Sequence, residues 1–181
     1  MEFITTKCEG VVLLKPRVFS DNRGFFLESY SEKLFRENGI GATFVQDNHS
    51  KSVDKGVVRG LHFQLPPFDQ AKLVRVIAGS LLDVVVDLRK NSKTYGQHES
   101  FELNAENLSM LYVPRGFAHG FCTLMPNTEM VYKVDNYYSS KHDSGLVWND
   151  PDLGIAWPVT EAILSDKDSR LGPFKAFVSP F

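Results

Sequence analysis

At 181 residues, with 43% apolar and 23% charged side chains, the chain has the length and balance of one folded domain with a sizeable core. A formal net charge of -2 argues against a broadly basic face for nucleic acid or for an anionic membrane, so any negative ligand must be met by local Arg and Lys. Two cysteines, Cys8 and Cys122, are too few for a disulfide scaffold or a zinc knuckle and suit a reducing cytoplasm, and the charged stretch from Met1 to Gly10 does not read as a signal peptide.

Short β segments rich in Val, Leu, Phe and Tyr are predicted at residues 11–15, 24–29, 43–46, 57–64, 72–78, 81–88, 100–103, 109–113, 118–124, 129–134 and 145–148. Turn chemistry separates them at Asp21-Asn22, Asp54-Lys55-Gly56, Ala78-Gly79-Ser80 and Met125-Pro126-Asn127. Residues 31–38 break the pattern: Ser31 is a candidate N-cap, helix formers follow and Gly39 stops the run, which predicts a short helix. A second helical turn is expected over residues 165–169. No linker, repeat or low-complexity block divides the chain, so a single domain over residues 1–181 is expected. Many short strands with few helices argue for an all-β sandwich or jelly roll, whose two sheets can enclose a cavity.

The chemistry concentrates in Arg59-Gly60-Leu61-His62-Phe63-Gln64 and Gln70-Ala71-Lys72-Leu73-Val74-Arg75. Two readings stand for His62: a satisfied core histidine, or a base in a dry, walled site. Arg59 and Lys72 are costly to bury without an anion. A phosphate or a developing oxyanion explains them together, and pairing with Asp or Glu on neighbouring strands is the plainer account. Asp21-Asn22-Arg23-Gly24-Phe25-Phe26-Leu27-Glu28 reads as a turn into a strand, either a charged hairpin end or a source of ligand groups. Tyr132 and Tyr138 offer phenols, which in buried positions usually pack with the hydroxyl satisfied. Ser165-x-x-Asp168 fits a capping pattern, and nothing local makes Asp168 catalytic.

Pro114-x-Gly116-x-x-His119 resembles the second-half motif of the cupin superfamily, in which a Pro/Gly turn delivers a histidine into the barrel. Metal-binding cupins carry His-x-His and then Glu in the first half. Here the corresponding place reads His62-Phe63-Gln64, with no acid a few residues on. Two ligands fall short of the usual three or four, so no metal is expected.

Taken together, the segments resemble the dTDP-4-dehydrorhamnose 3,5-epimerase family. The match runs in order through Phe19-x-Asp21-x-Arg23-Gly24-x-Phe26-x-Glu28, Phe44-Val45-Gln46-Asp47-Asn48-x-Ser50-x-Ser52, Val58-Arg59-Gly60-Leu61-His62-Phe63-Gln64 and Gln70-x-Lys72-Leu73-Val74-Arg75. It continues through Asp83-Val84-x-Val86-Asp87-x-Arg89, Pro114-x-Gly116-Phe117-Ala118-His119-Gly120-Phe121, Tyr132-Lys133, Trp148-x-Asp150-Pro151 and Leu164-Ser165-x-Lys167-Asp168.

The resemblance implies a cupin-type jelly roll that acts as a homodimer without cofactor or metal. It implies conversion of dTDP-4-dehydro-6-deoxy-D-glucose to dTDP-4-dehydro-L-rhamnose, in dTDP-rhamnose biosynthesis, through an enolate. His62 is then the base, Asp168 its orienting carboxylate, Lys72 (with His119) the group facing the ketone oxygen, and Tyr132 the acid. Arg23 and Arg59 suit the diphosphate; Glu28, Gln46 and Asn48 suit the nucleotide; Tyr138 stacks on thymine; and Phe26, Asp47, Asp143 and Lys167 join the binding set. Asp143 stands where the family often has Glu, which shortens its reach. Residues 170–181 depart from the family's usual ending and receive no role. Three other functions stay in view: a single-centre epimerase of a related deoxysugar pathway, a metal-dependent cupin oxygenase, and a sugar-nucleotide binding module without chemistry.

Overall fold

A computed structural model describes residues 1–181. In chain order the elements are β1 (Glu2–Thr5), β2 (Val12–Lys15), β3 (Val18–Asp21), β4 (Gly24–Leu27), α1 (Glu32–Glu37), β5 (Gln46–Ser52), β6 (Val58–Gln64) and β7 (Lys72–Ala78). There follow β8 (Ser80–Asp87), β9 (His98–Asn104), β10 (Met110–Val113), β11 (Phe117–Thr123), β12 (Thr128–Val134), β13 (Asp143–Gly145) and two single 3-10 turns at Asp168–Arg170 and Phe174–Ala176. A six-stranded sheet has the order β1-β2-β10-β7-β12-β5, a five-stranded sheet the order β13-β6-β11-β8-β9, and β3 and β4 form a separate hairpin. Every pairing of named strands is antiparallel, as a jelly roll requires.

Strand alternation divides the apolar residues among three layers. Between the sheets, Val74, Val76, Leu111, Val113 and Met130 of the larger sheet meet Leu81, Val85, Leu103, Phe117 and Phe121 of the smaller. On the outer face of the five-stranded sheet, Leu61, Phe63, Val84, Val86 and Ala118 are covered by Ile155, Trp157, Phe174, Phe177 and Phe181. On the outer face of the six-stranded sheet, Leu14, Leu73 and Met110 lie under Phe35 of α1 and Ile40. Strands β8 and β11 are therefore buried on both faces, which is why they read as near-continuous apolar runs.

The predicted strand over residues 72–78 coincides with β7, and Ser31 caps α1 by accepting a hydrogen bond from Leu34 N. The strand expected at 43–46 is displaced: β5 begins at Gln46 and continues through Asp47, Asn48, His49, Ser50 and Lys51. It is an edge strand with solvent on one face and a cavity on the other, so it never acquires an apolar face. Strands β1 and β3 escape sequence reading because their exposed ends, and in β3 every residue, lack a buried alternation. The strand expected at 145–148 lies earlier, as β13, where it adds to the edge of β6.

The tail has a structural task that its sequence does not announce. Ser179 Oγ donates to Leu88 O, Lys90 N donates to Phe181 O at 3.0 Å, and Phe177 and Phe181 set their rings edge-on against Phe63. Residues 170–181 thus seal the outer face of the strand that carries His62.

Candidate active site

The site begins with a local irregularity in β6. Simple alternation puts residues 59 and 62 on opposite faces of a strand. Here His119 of β11 pairs with His62 while Phe121 pairs with Arg59, a register shift that turns both Arg59 and His62 inward. The shift needs close backbone contact between the strands. A Cβ on Gly60 meets Gly120 Cα and His119 O at 2.7 Å, and one on Gly120 meets Arg59 O at 2.8 Å, so both positions demand glycine.

His62 Nε2 lies 2.6 Å from Asp168 Oδ1, and the other Asp168 oxygen accepts from Gly60 N at 3.4 Å. Asp168 is 3% exposed, at the start of a 3-10 turn whose entry Ser165 Oγ stabilises by accepting from Asp168 N at 3.1 Å. Burial pushes the Asp168 carboxyl up, yet the bond to His62, the His62 charge, Gly60 N–H and Ser165 together hold it below the ordinary carboxylate value. An ionised carboxylate only accepts, so Nε2 carries the ring hydrogen and Nδ1 keeps a lone pair with no protein partner.

The cavity lies between the sheets, in two lobes of about 530 and about 290 Å3 that share His62, Lys72, Tyr132 and Lys167. The larger lobe adds Ser50, Ser52, Arg59, His119, Phe121, Met130 and Asp168; the smaller adds Gln46, Asn48, Gln70, Tyr138 and Asp143. Burial pushes the Lys72 ammonium down to about 8; the Asp83 and Asp143 charges oppose that fall and the Lys167 charge adds to it. Burial raises the Tyr132 phenol, which the Arg59 charge partly offsets and the Asp143 charge reinforces, so Tyr132 enters neutral pH carrying its proton.

The structure thus brings together His62, Asp168, Lys72, Tyr132, Arg59, His119, Gln46, Asn48, Tyr138, Asp143 and Lys167. The plainer account, in which Arg59 and Lys72 pair with Asp or Glu on neighbouring strands, finds no such pair; it is Lys167 that pairs with Asp143, whose carboxylate also accepts from Tyr138 OH at 3.0 Å. Arg59 makes no ion pair, donating instead to Ser52 Oγ at 3.3 Å and Lys51 O at 3.1 Å. No carboxylate is hydrogen-bonded to Lys72 either. Two cations in one cleft, neither of them hydrogen-bonded to a carboxylate, suit an anionic ligand.

Four residues of the expected set are not brought to the cavity by their own chain. Asp47 alternates to the outer face of β5, where it pairs with Lys133 at 2.9 Å beside Arg75. Arg23, Phe26 and Glu28 sit on or just after the β3–β4 hairpin, exposed, with Arg23 bonded to Asp21 at 2.6 Å and no residue of the hairpin lining the cleft. Sequence reading gave no role to Asp83, whose oxygens lie 2.9 and 3.0 Å from His119 Nε2. The available signal was an acid inside the apolar run Leu81-Leu82-Asp83-Val84-Val85-Val86, a placement that demands a partner. No group of three or more His, Cys, Asp or Glu side chains is arranged to hold a metal ion.

A family model described as dTDP-4-dehydrorhamnose 3,5-epimerase matches residues 5–176. An enzyme of that name from Shigella flexneri is 50% identical over 169 residues, covering 93% of this chain and 93% of that protein. The solved structure of a dTDP-4-dehydrorhamnose 3,5-epimerase from Bacillus anthracis str. Ames, with TDP and PPi bound, superposes with a TM-score of 0.93 at 53% identity, covering 95% of this chain and 98% of the other. That of a dTDP-6-deoxy-D-glucose-3,5-epimerase from Legionella pneumophila, in complex with dTDP-4-keto-L-rhamnose, does so with a TM-score of 0.93 at 39% identity, covering 98% and 94%.

The lowered Asp168 carboxyl sets an acid dependence. A carboxylate depressed by folding contributes stability above its unfolded pKa, and that contribution is lost as pH falls through the folded value. The stability difference between the unsubstituted protein and Asp168→Asn, measured by denaturant unfolding, is therefore present at neutral pH and shrinks in strong acid. A difference that stays constant across that range contradicts the assignment.

Proposed function

The chain belongs to the dTDP-4-dehydrorhamnose 3,5-epimerase family, and on that premise we propose that the inter-sheet cleft performs the epimerisation with His62 as base and Tyr132 as acid. The reaction converts dTDP-4-dehydro-6-deoxy-D-glucose to dTDP-4-dehydro-L-rhamnose. The observation that carries the residue assignment is that His62 stands on the five-stranded sheet and Tyr132 on the six-stranded sheet, both lining the same cavity. A sugar ring between them loses a proton on one face and regains it on the other. That is inversion.

The 4-ketone makes the hydrogens on C3 and C5 acidic. Nδ1 of His62 takes one of them, and Asp168 balances the imidazolium that forms. The electron pair moves onto the ketone oxygen, where the Lys72 ammonium stabilises the enolate; loss of one such preorganised donor costs about 3 kcal/mol of barrier. The protonated Tyr132 phenol returns a proton to carbon from the opposite side. No net oxidation occurs, and every step is served by groups of the chain.

Arg59 supplies paired donors suited to the diphosphate. Gln46, Asn48, Tyr138, Asp143 and Lys167 line the adjoining lobe and suit the nucleotide end. Lys167 precedes Asp168 in the chain, so the turn that holds the ligand is also the turn that orients the base. The acting unit is the whole chain as one domain: Phe3 packs with the outer cluster around Met110, and Phe181 packs behind Phe63.

The protein acts as a homodimer in this reading. Phe19, Phe25 and Phe26 are 48%, 56% and 65% exposed on a hairpin that also carries Arg23, an apolar display that suits burial by a second copy. A partner's hairpin at the cleft mouth would restore Arg23, Phe26 and Glu28 to binding. Buried, unpaired Cys8 and Cys122 fit the reducing cytoplasm.

Turnover in deuterated water, followed by NMR, is expected to place solvent deuterium at both C3 and C5; label at one carbon alone contradicts the double inversion and favours a single-centre enzyme. Tyr132→Phe is expected to keep proton loss to solvent while product formation falls, and equal loss of both would remove Tyr132 from the acid's role. Sedimentation is expected to give a dimer, and a monomer at working concentration sinks the shared-site reading of the hairpin.

A further inference from the structure

Asp83 lies on β8 between Leu81 and Val85, on the strand face turned toward the six-stranded sheet, with no exposed surface. Both of its oxygens address one donor, Nε2 of His119, and no other hydrogen bond reaches them. His119 is itself only 6% exposed and lines the cleft together with Lys72. A carboxylate so placed is costly to bury unless a cation shares its field.

The groups that face Lys72 from the surrounding strands are Asp83 of β8, His119 of β11, His62 of β6, Tyr132 of β12 and Asp143 of β13, with Lys167 and Asp168 at the nearby turn. Asp168 is committed to His62, and Asp143 is shared between Lys167 and Tyr138. Asp83 has no lysine or arginine of its own. Its carboxylate is the foremost charge holding the Lys72 ammonium up against burial.

We propose that Asp83 is a positioning residue of the reaction: it fixes His119 with hydrogen on Nε2 and serves as the buried counter-charge that keeps Lys72 an ammonium beside the ketone oxygen. This rests on the reading of Lys72 as the enolate's partner. Burial disfavours the charged form of Lys72, so without a fixed anion the lysine gives up more readily the proton and the charge that the enolate needs. One carboxylate serving Lys72 and His119 together leaves the pocket short of negative charge until the enolate forms, which favours the transition state over the neutral ketone.

Asp83→Asn keeps the shape and the acceptor for His119 but removes the charge. The alkaline limb of its kcat–pH profile is expected to move to lower pH, with about a tenfold loss of rate above the limb for each unit moved. KM changes little, because Asp83 does not touch substrate, and Asp83→Glu returns the limb toward its original position. A uniform loss of kcat at every pH, with the limb unmoved, overturns the proposal and leaves Asp83 merely structural. Should Asp83→Asn fail to fold, the 13C shift of the Asp83 carboxylate in the unsubstituted protein decides: an inflection where Lys72 titrates supports the pairing, and a flat line across the alkaline range overturns it. Lys72→Ala separates the two claims: full kcat there sinks the role of Lys72 itself, whereas a dead Lys72→Ala with an unmoved Asp83→Asn limb sinks the counter-charge alone.

Discussion

The bond between His62 Nε2 and the buried Asp168 carboxylate, 2.6 Å long and closing 106 residues of chain, is the contact on which the rest of the site depends. It decides which ring nitrogen holds the hydrogen and which faces the cavity. It also ties the last turn of the chain to the five-stranded sheet, through His62 and Gly60 together. Breaking it leaves a 3% exposed carboxylate without its main partner, so the contact is structural and chemical at once.

Around that bond the fold trades core for cavity. Polar side chains interrupt the apolar inner faces of β7, β8, β11 and β12: Lys72 precedes Val74 and Val76, Asp83 stands between Leu81 and Val85, His119 between Phe117 and Phe121, and Tyr132 two residues from Met130. His62 of β6 joins them across the cavity. Each such substitution gives up apolar burial, at roughly 25 cal/mol per Å2. Compensation comes from the outer faces, which carry clusters of their own under α1 and under the tail. A jelly roll covered on both sides can keep a polar chamber in its middle without losing cohesion.

How much of this was legible depends on whether a residue's meaning is local. Strand β7 and helix α1 were, because apolar alternation and a Ser31 cap are written in consecutive residues. Strand β5 was not, because a strand lying between solvent and a ligand chamber has no apolar face to show. Individual roles were legible only by resemblance: Asp168 looks like a helix cap and Tyr132 like packing until the fold sets them against His62. Asp83 carried a physical signal, an acid amid valines, whose partner His119 only the register of β8 against β11 supplies. The inward turn of Arg59 depends on glycine contacts between two strands sixty residues apart in sequence, and no periodicity within β6 announces it.

The central claim is that His62, oriented by Asp168, removes the carbon-bound proton. The most direct measurement is exchange of substrate C–H hydrogen in deuterated water catalysed by His62→Ala, with binding of dTDP measured by calorimetry on the same preparation. The account predicts that exchange at both carbons falls to background while dTDP binding persists. Exchange that continues at a rate near that of the unsubstituted enzyme places the base elsewhere and contradicts it.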